Sequence, residues 1–196
     1  MRVHCYPGSM PRVVDHEERR WEIVFALWLV IAEQGIEGVS LRHVAAEAGV
    51  SMGRIQHYFG TKDALVLAGC TALVNRAYGG YQETADDAPR ERLLHVVTQQ
   101  IPQDDAGRIG VSVWYAYVAK SINDAAVRQV LAEARRGAED ECVRLITADR
   151  GVGADVALTL ARRLLALADG LTLRVLVRDL EPAEAVAMLE AEVGAG

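Results

Sequence analysis

The chain has 196 residues, of which 51% are hydrophobic and 24% are charged, so it is long enough to bury a core and too apolar for a disordered protein. Its net charge of −6 argues against a protein that binds nucleic acid through a generally basic surface. Residues 1–62 contain seven basic and seven acidic residues, so the whole excess of acid lies in the remainder. This distribution fits DNA contact at the N-terminal end alone.

Glycines, prolines and capping residues divide the chain into nine apolar segments with helical spacing, and no segment has the alternation of a strand. The predicted helices cover residues 13–34, 42–48, 51–58, 61–78, 90–101, 108–122, 124–147, 154–178 and a last segment from Pro182. We expect Gly79 and Gly80 to end the fourth helix. The fold class is therefore all-α. A three-helix N-terminal domain, 13–62, precedes an antiparallel helical bundle, 63–196.

Several features bear on location and cofactors. Cys5, Cys70 and Cys142 lack the spacing of metal ligands or redox pairs, so we expect Cys70 and Cys142 to be small buried side chains. The apolar run at 23–32 is about half of the roughly 20 residues that a membrane span needs. The N-terminus has no signal-peptide pattern. We expect a cytoplasmic protein with no membrane segment, metal or cofactor.

The most informative segment is 35–62, where two short helices are joined by a Gly-Val-Ser turn. Gly49 permits a left-handed backbone in that turn, and Ser51 is a predicted N-cap of the second helix. Ile55 and Phe59 should point into the core, which leaves the polar residues of the second helix outside. This is the helix-turn-helix arrangement, in which the second helix enters the major groove of DNA.

The same segment resembles the DNA-binding domain of the TetR family of regulators. The resemblance is carried by the Ala-Gly-Val-Ser turn, by residues 57–59 with the sequence His-Tyr-Phe, and by Lys62, Ala64 and Leu65. It implies base contacts from Arg42, Arg54 and Gln56, phosphate contacts from Ser51, Tyr58 and Lys62, and close approach of DNA at Gly53. The expected DNA-contacting set is Ser40, Arg42, Ser51, Met52, Gly53, Arg54, Gln56, His57, Tyr58 and Lys62. Arginine and glutamine pair with guanine and adenine, whereas hydroxyl groups and lysine fix register on phosphates.

Some of these residues have a structural alternative. Arg54, Gln56 and His57 could form only a solvated helix face, and for His57 packing and DNA contact have equal weight. Tyr58 is expected to pack its ring while its hydroxyl reaches a phosphate. Met52 departs from the polar or basic residue common in the family, and it offers only apolar contact, for example with a thymine methyl group.

The C-terminal domain resembles the branch of the family that includes the betaine-pathway regulators, through residues 114–116, residues 168–171 and the helix from Pro182. The resemblance implies a ligand-binding dimer. The last two predicted helices can form a four-helix bundle with a symmetry mate. The predicted interface residues are Leu158, Ala161, Leu165, Ala168, Leu171, Val175, Val186 and Leu189. The alternative is that these side chains pack inside one subunit.

A ligand pocket is predicted between the fourth helix and the helices of residues 90–147. The predicted wall consists of Leu67, Cys70, Tyr78, Trp114, Tyr117, Val118 and Ile122. Such a wall suits a small apolar or aromatic ligand, and its aromatic faces can hold a cation. The alternative is an ordinary aromatic core.

Enzymatic motifs are missing from the sequence: it has no nucleophile elbow, phosphate-binding glycine loop, HExxH sequence or paired catalytic carboxylates. The sequence therefore predicts a non-enzymatic transcription regulator, namely a homodimeric repressor released from a palindromic double-stranded DNA operator by a small-molecule ligand. The alternative is a helix-turn-helix-shaped module that binds a small molecule or a protein without specific DNA binding.

Overall fold

A computed structural model describes residues 12–195, with side chains from residue 16 onwards, and these residues form nine α-helices and no strand. The helices are α1 (Arg12–Gln34), α2 (Leu41–Glu47), α3 (Met52–Phe59), α4 (Lys62–Gln82), α5 (Pro89–Thr98), α6 (Asp105–Ser121), α7 (Ala125–Arg150), α8 (Ala154–Leu176) and α9 (Pro182–Gly194). The all-α prediction is confirmed. Cys5 lies outside the described residues.

The main difference from the predicted helices concerns α4, which was expected to end at two glycines. It runs through Gly79 and Gly80 as far as Gln82. Each glycine costs a helix interior about 1 kcal/mol relative to alanine. Tyr81 follows them immediately and is buried in the core of the C-terminal part, so tertiary packing offsets the cost and the helix continues.

Buried side chains form two clusters, and α4 contributes to both. The first cluster joins α1, α2, α3 and the first half of α4, including Leu65 and Val66, to parts of α6 and α7. The second joins α5, α7, α8 and α9 to Tyr81 from the last turn of α4. The division of the chain after residue 62 stays a prediction, because side chains from α6 and α7 complete the first cluster. Each helix within residues 12–195 is too short or too polar to span a bilayer.

Candidate DNA-binding helix and ligand cavity

Helices α2, α3 and α4 each begin at a side-chain cap. The hydroxyl oxygens of Ser40, Ser51 and Thr61 accept hydrogen bonds of 3.1 to 3.2 Å from the main-chain N–H three residues later. Gly49 lies in the turn between α2 and α3 with φ of 63°, the left-handed conformation that glycine adopts without strain. The predicted helix-turn-helix geometry is confirmed at these positions.

Helix α3 is anchored to α1 on one face. Ile55 and Phe59 are buried in the first cluster. The guanidinium of Arg20 lies 4.6 Å from the centre of the Phe59 ring and donates a 3.5 Å hydrogen bond to the carbonyl of Tyr58. These contacts pack α3 against α1 in the first cluster. The exposed residues at its start and on its outer face are Ser51, Met52, Gly53, Arg54, Gln56 and His57.

A shallow depression of about 570 Å³ adjoins this outer face. Its lining residues are Arg19, Ser51, Arg54, His57 and Tyr58. The Tyr58 ring is half-buried and packs against His57, with ring centres 5.6 Å apart, and against His16, at 4.6 Å. Sequence reasoning missed Arg19, because nothing in the sequence shows that this turn of α1 lies beside α3.

The other predicted DNA contacts lie around α3. Arg42 is exposed on α2, and Lys62 is half-exposed at the start of α4. The Ser40 hydroxyl is occupied in its cap, so only its remaining lone pair and its proton are available to a phosphate. A Cβ atom added to Gly53 would meet nothing within 4 Å, so packing inside the chain does not require glycine there. DNA contact by the ten predicted residues stays a prediction.

A larger cavity of about 1240 Å³ lies among α4, α5, α6 and α7. Its apolar wall includes Val96, Val111, Trp114 and Ala134. Its charged wall residues are Arg76, Arg92, Asp104, Arg135, Asp140, Glu141 and Arg144. No group of three or more potential metal ligands occurs in the part of the chain that the structure describes.

Of the seven predicted wall residues, Tyr78 and Trp114 line this cavity, and the other five do not. Cys70 and Tyr117 are fully buried in the first cluster, where the Tyr117 hydroxyl donates a 3.0 Å hydrogen bond to the carbonyl of Val66. Leu67 packs against the same cluster, whereas Val118 and Ile122 are exposed on the surface. The predicted wall residues are therefore divided between the cavity, the core and the surface, because helical spacing alone does not show on which side of α4 and α6 the cavity lies.

The most polar part of the cavity wall is a cluster around Glu141 on α7. Arg144 donates to both carboxylate oxygens, at 2.6 and 2.8 Å. The Tyr81 hydroxyl donates to Oε1, and Arg92 of α5 reaches the same oxygen at 3.4 Å. The bonds from Arg144 hold the pKa of Glu141 below its usual value, and burial beside this carboxylate raises the pKa of Tyr81. In the sequence, Glu141 and Arg144 resemble an ordinary surface pair, so the cluster was missed.

The predicted dimer-interface residues are mostly core residues of the chain itself. The six that are buried within the second cluster are Ala161, Leu165, Ala168, Leu171, Val175 and Leu189. Leu158 and Val186 are half-buried. The apolar stripe of α8 is already covered by α5, α7 and α9, so a partner subunit would have to contact other residues of α8 and α9.

This arrangement defines a helix-turn-helix protein whose second, all-helical part encloses a cavity. Residues 26–68 match the family described as bacterial regulatory proteins, tetR family. Residues 89–195 match the family described as BetI-type transcriptional repressor, C-terminal.

Individual proteins agree with these family matches. The HTH-type transcriptional regulator BetI of Burkholderia thailandensis is 31% identical over 169 residues, which cover 84% of this chain and 85% of that protein. The regulator PksA of Bacillus subtilis is 36% identical over 112 residues, 56% of this chain and 55% of PksA. A regulator from Saccharomonospora viridis, crystallised in complex with choline, superposes with a TM-score of 0.82 and 26% identity over 91% of this chain and 96% of its own. The chain belongs to the TetR family of bacterial transcription regulators and has a BetI-type C-terminal domain.

Proposed function

We propose that this regulator is a repressor that binds a palindromic operator through two copies of α3 and is released when a small molecule occupies the cavity among α4 to α7. It acts on DNA in the cytoplasm and catalyses no reaction. The observation that carries the proposal is the geometry of α3. Ile55 and Phe59 fix one face in the core, so Arg54 and Gln56 are held outward on a rigid support. A rigid support lets a few side chains select bases.

A second subunit is part of the proposal, because one short helix contacts too few base pairs to select a site in a genome. Two recognition helices about 34 to 36 Å apart can occupy successive major grooves. Helices α8 and α9, with the C-cap of α8, carry four exposed apolar side chains: Val156, Leu173, Val177 and Met188. Exposed apolar side chains on neighbouring helices favour association of two copies.

Helix α4 supports the proposed coupling between the cavity and α3. Its first half packs in the cluster that anchors α3, and its second half lines the cavity through Tyr78 and Tyr81. A ligand that binds one position of α4 better than another shifts the population of those positions. Because α4 follows α3 directly at Thr61, such a shift changes the spacing of the two recognition helices.

The test measures the affinity of the chain for the intergenic DNA upstream of its own gene. Fluorescence anisotropy of labelled DNA gives this affinity at several salt concentrations. Loss of a bidentate base contact costs about 1–3 kcal/mol and the substitution removes one from each subunit, so Arg54→Ala should weaken specific binding at least about thirtyfold and leave binding to random DNA nearly unchanged. Arg136→Ala is the matched control, because this exposed arginine lies on α7 outside both sites. Equal binding of intergenic and random DNA by the unaltered chain would favour a module without specific DNA binding.

A further inference from the structure

The charges in the cavity wall indicate the chemical class of the ligand. We infer that the cavity binds an amphipathic monocarboxylate, with the acid group at Arg92 and the apolar body against Trp114 and its neighbours. The inference rests on the proposed function only in taking the cavity as the regulatory site. It differs from the small apolar or aromatic ligand predicted from the sequence, for which the aromatic wall could also hold a cation.

Hydrogen-bond donors crowd one oxygen of the Glu141 carboxylate. Its Oε1 oxygen accepts hydrogen bonds from Tyr81, Arg92 and Arg144, although a carboxylate oxygen has only two lone pairs in its plane. Arg144 also binds the second oxygen, at 2.8 Å. Glu141 therefore keeps one in-plane lone pair, on Oε2, and its negative charge is already paired with two arginines.

Arg92 is the least satisfied member of this cluster. Its only hydrogen bond to a side chain is the 3.4 Å contact with Glu141, and its Nε is buried with no acceptor among the described residues. The Arg92 side chain is only 17% exposed, so water gives it little compensation. Two arginines thus face one carboxylate, and the Arg92 guanidinium, which lines the cavity, has donor capacity left for the carboxylate of a ligand.

The aromatic faces do not favour a cationic ligand. The guanidinium of Arg92 already lies 4.7 Å above the centre of the Tyr81 ring and occupies the face that a quaternary ammonium group would need. Tyr78 is mostly exposed at the rim, with 63% of its surface accessible. Trp114 remains as an apolar surface for the body of the ligand.

The other charged groups of the wall do not reverse this balance. Arg135 forms two hydrogen bonds of 2.8 and 2.9 Å with Asp169, so it is neutralised. The Asp104 carboxylate caps α6 by accepting from the N–H of Gly107 at 2.7 Å. Asp140 and Arg76 are both exposed at the rim and oppose each other in charge. Within the Glu141 cluster, Arg92 and Arg144 therefore exceed the carboxylate by one positive charge, which suits a monoanion.

The test uses three probes with the same phenylpropyl body: 4-phenylbutyrate, its primary amide and 3-phenylpropyltrimethylammonium. Their dissociation constants for the full chain are measured by isothermal titration calorimetry without DNA, so the result does not depend on operator binding. A charge-assisted hydrogen bond is about twice as strong as a neutral one, so the affinity of the acid should exceed that of the amide by a factor of about ten or more. The ammonium compound should bind most weakly.

Arg92→Gln should remove the preference for the acid over the amide, with retained helicity and cooperative unfolding as the check on folding. Arg162→Gln is the matched control, because Arg162 also pairs with a glutamate but lies outside the cavity. The inference would be overturned if the acid and the amide bound with equal affinity, or if the ammonium compound bound more tightly than the acid. It would also be overturned if the acid showed no detectable binding. If the acid binds as expected while intergenic DNA does not, the proposed function fails and the ligand class stands.

Discussion

The indole Nε1 of Trp28 in α1 donates a 3.1 Å hydrogen bond to the main-chain carbonyl of Gly69 in α4. The bond is buried and joins the helix that supports α3 to the helix that lines the cavity. Helices α1 and α6 can approach α4 closely at this point because Gly69 has no side chain. A Cβ at this position would lie 2.5 Å from Leu27 and 2.6 Å from the Tyr117 hydroxyl oxygen.

Replacement of Gly69 by alanine should therefore destabilise the protein. Overpacking of a tight core costs about 1–3 kcal/mol, and we expect a loss of that size in the free energy of unfolding measured with urea. Gly79→Ala is the matched control in the same helix, because a Cβ there meets nothing within 4 Å and alanine favours helix by about 1 kcal/mol. Equal stability of the two variants would contradict the close packing of α1, α4 and α6.

Gly53→Ala should separate folding from DNA binding. The free chain has room for the methyl group, and α3 gains helix propensity, so the free energy of unfolding should stay the same or rise by up to about 1 kcal/mol. If α3 enters the major groove as proposed, the same methyl group faces the DNA, and operator affinity should fall at least tenfold. Unchanged affinity in an anisotropy titration would show that DNA does not approach α3 at Gly53.

The Glu141 cluster should contribute to stability in a pH-dependent way. Because Arg144 lowers the pKa of folded Glu141 below its ordinary value, the contribution is complete above that ordinary value and is lost as pH falls through the lowered one. The difference in unfolding free energy between the unaltered chain and Glu141→Gln should therefore shrink from pH 7 to pH 3. The exposed Glu190→Gln variant is the control. A difference that stays constant over this range would argue against the paired carboxylate.

The two described cysteines should be chemically inert in the folded protein. Cys70 and Cys142 are fully buried and unpaired, and burial raises the pKa of each thiol to about 12. In a Cys5→Ser variant, Ellman's reagent should detect almost no thiol at pH 7.5 and two thiols per chain in guanidinium chloride. Rapid modification of either thiol in the native state would contradict its burial.

The helix-turn-helix was predictable because its signals are local. A serine three residues before a free main-chain N–H forms a cap, and a glycine such as Gly49 marks the turn, so Ser40, Ser51 and Gly49 act as predicted. Ile55 and Phe59 share one face of a short helix and had to be buried together. These relationships span fewer than five residues, so no knowledge of distant contacts was needed.

The cavity and the interface could not be predicted in the same way, because they depend on how long helices rotate against each other. Tyr117 and Trp114 are three residues apart on α6, yet one lies in the core and the other lines the cavity. Leu165 and Leu171 have the apolar character expected of an interface, but α8 buries them within the chain. The Arg92 contact with Glu141 joins α5 to α7 across 49 residues, and no local pattern indicates it.

In the proposed complex two copies of α3 contact the operator together, and hydroxyl-radical footprinting of the upstream intergenic DNA tests this arrangement. We expect two protected blocks on one face of the duplex, with centres about one helical turn apart, and loss of both in Arg54→Ala. A single protected block, or the same pattern in the variant, would contradict it.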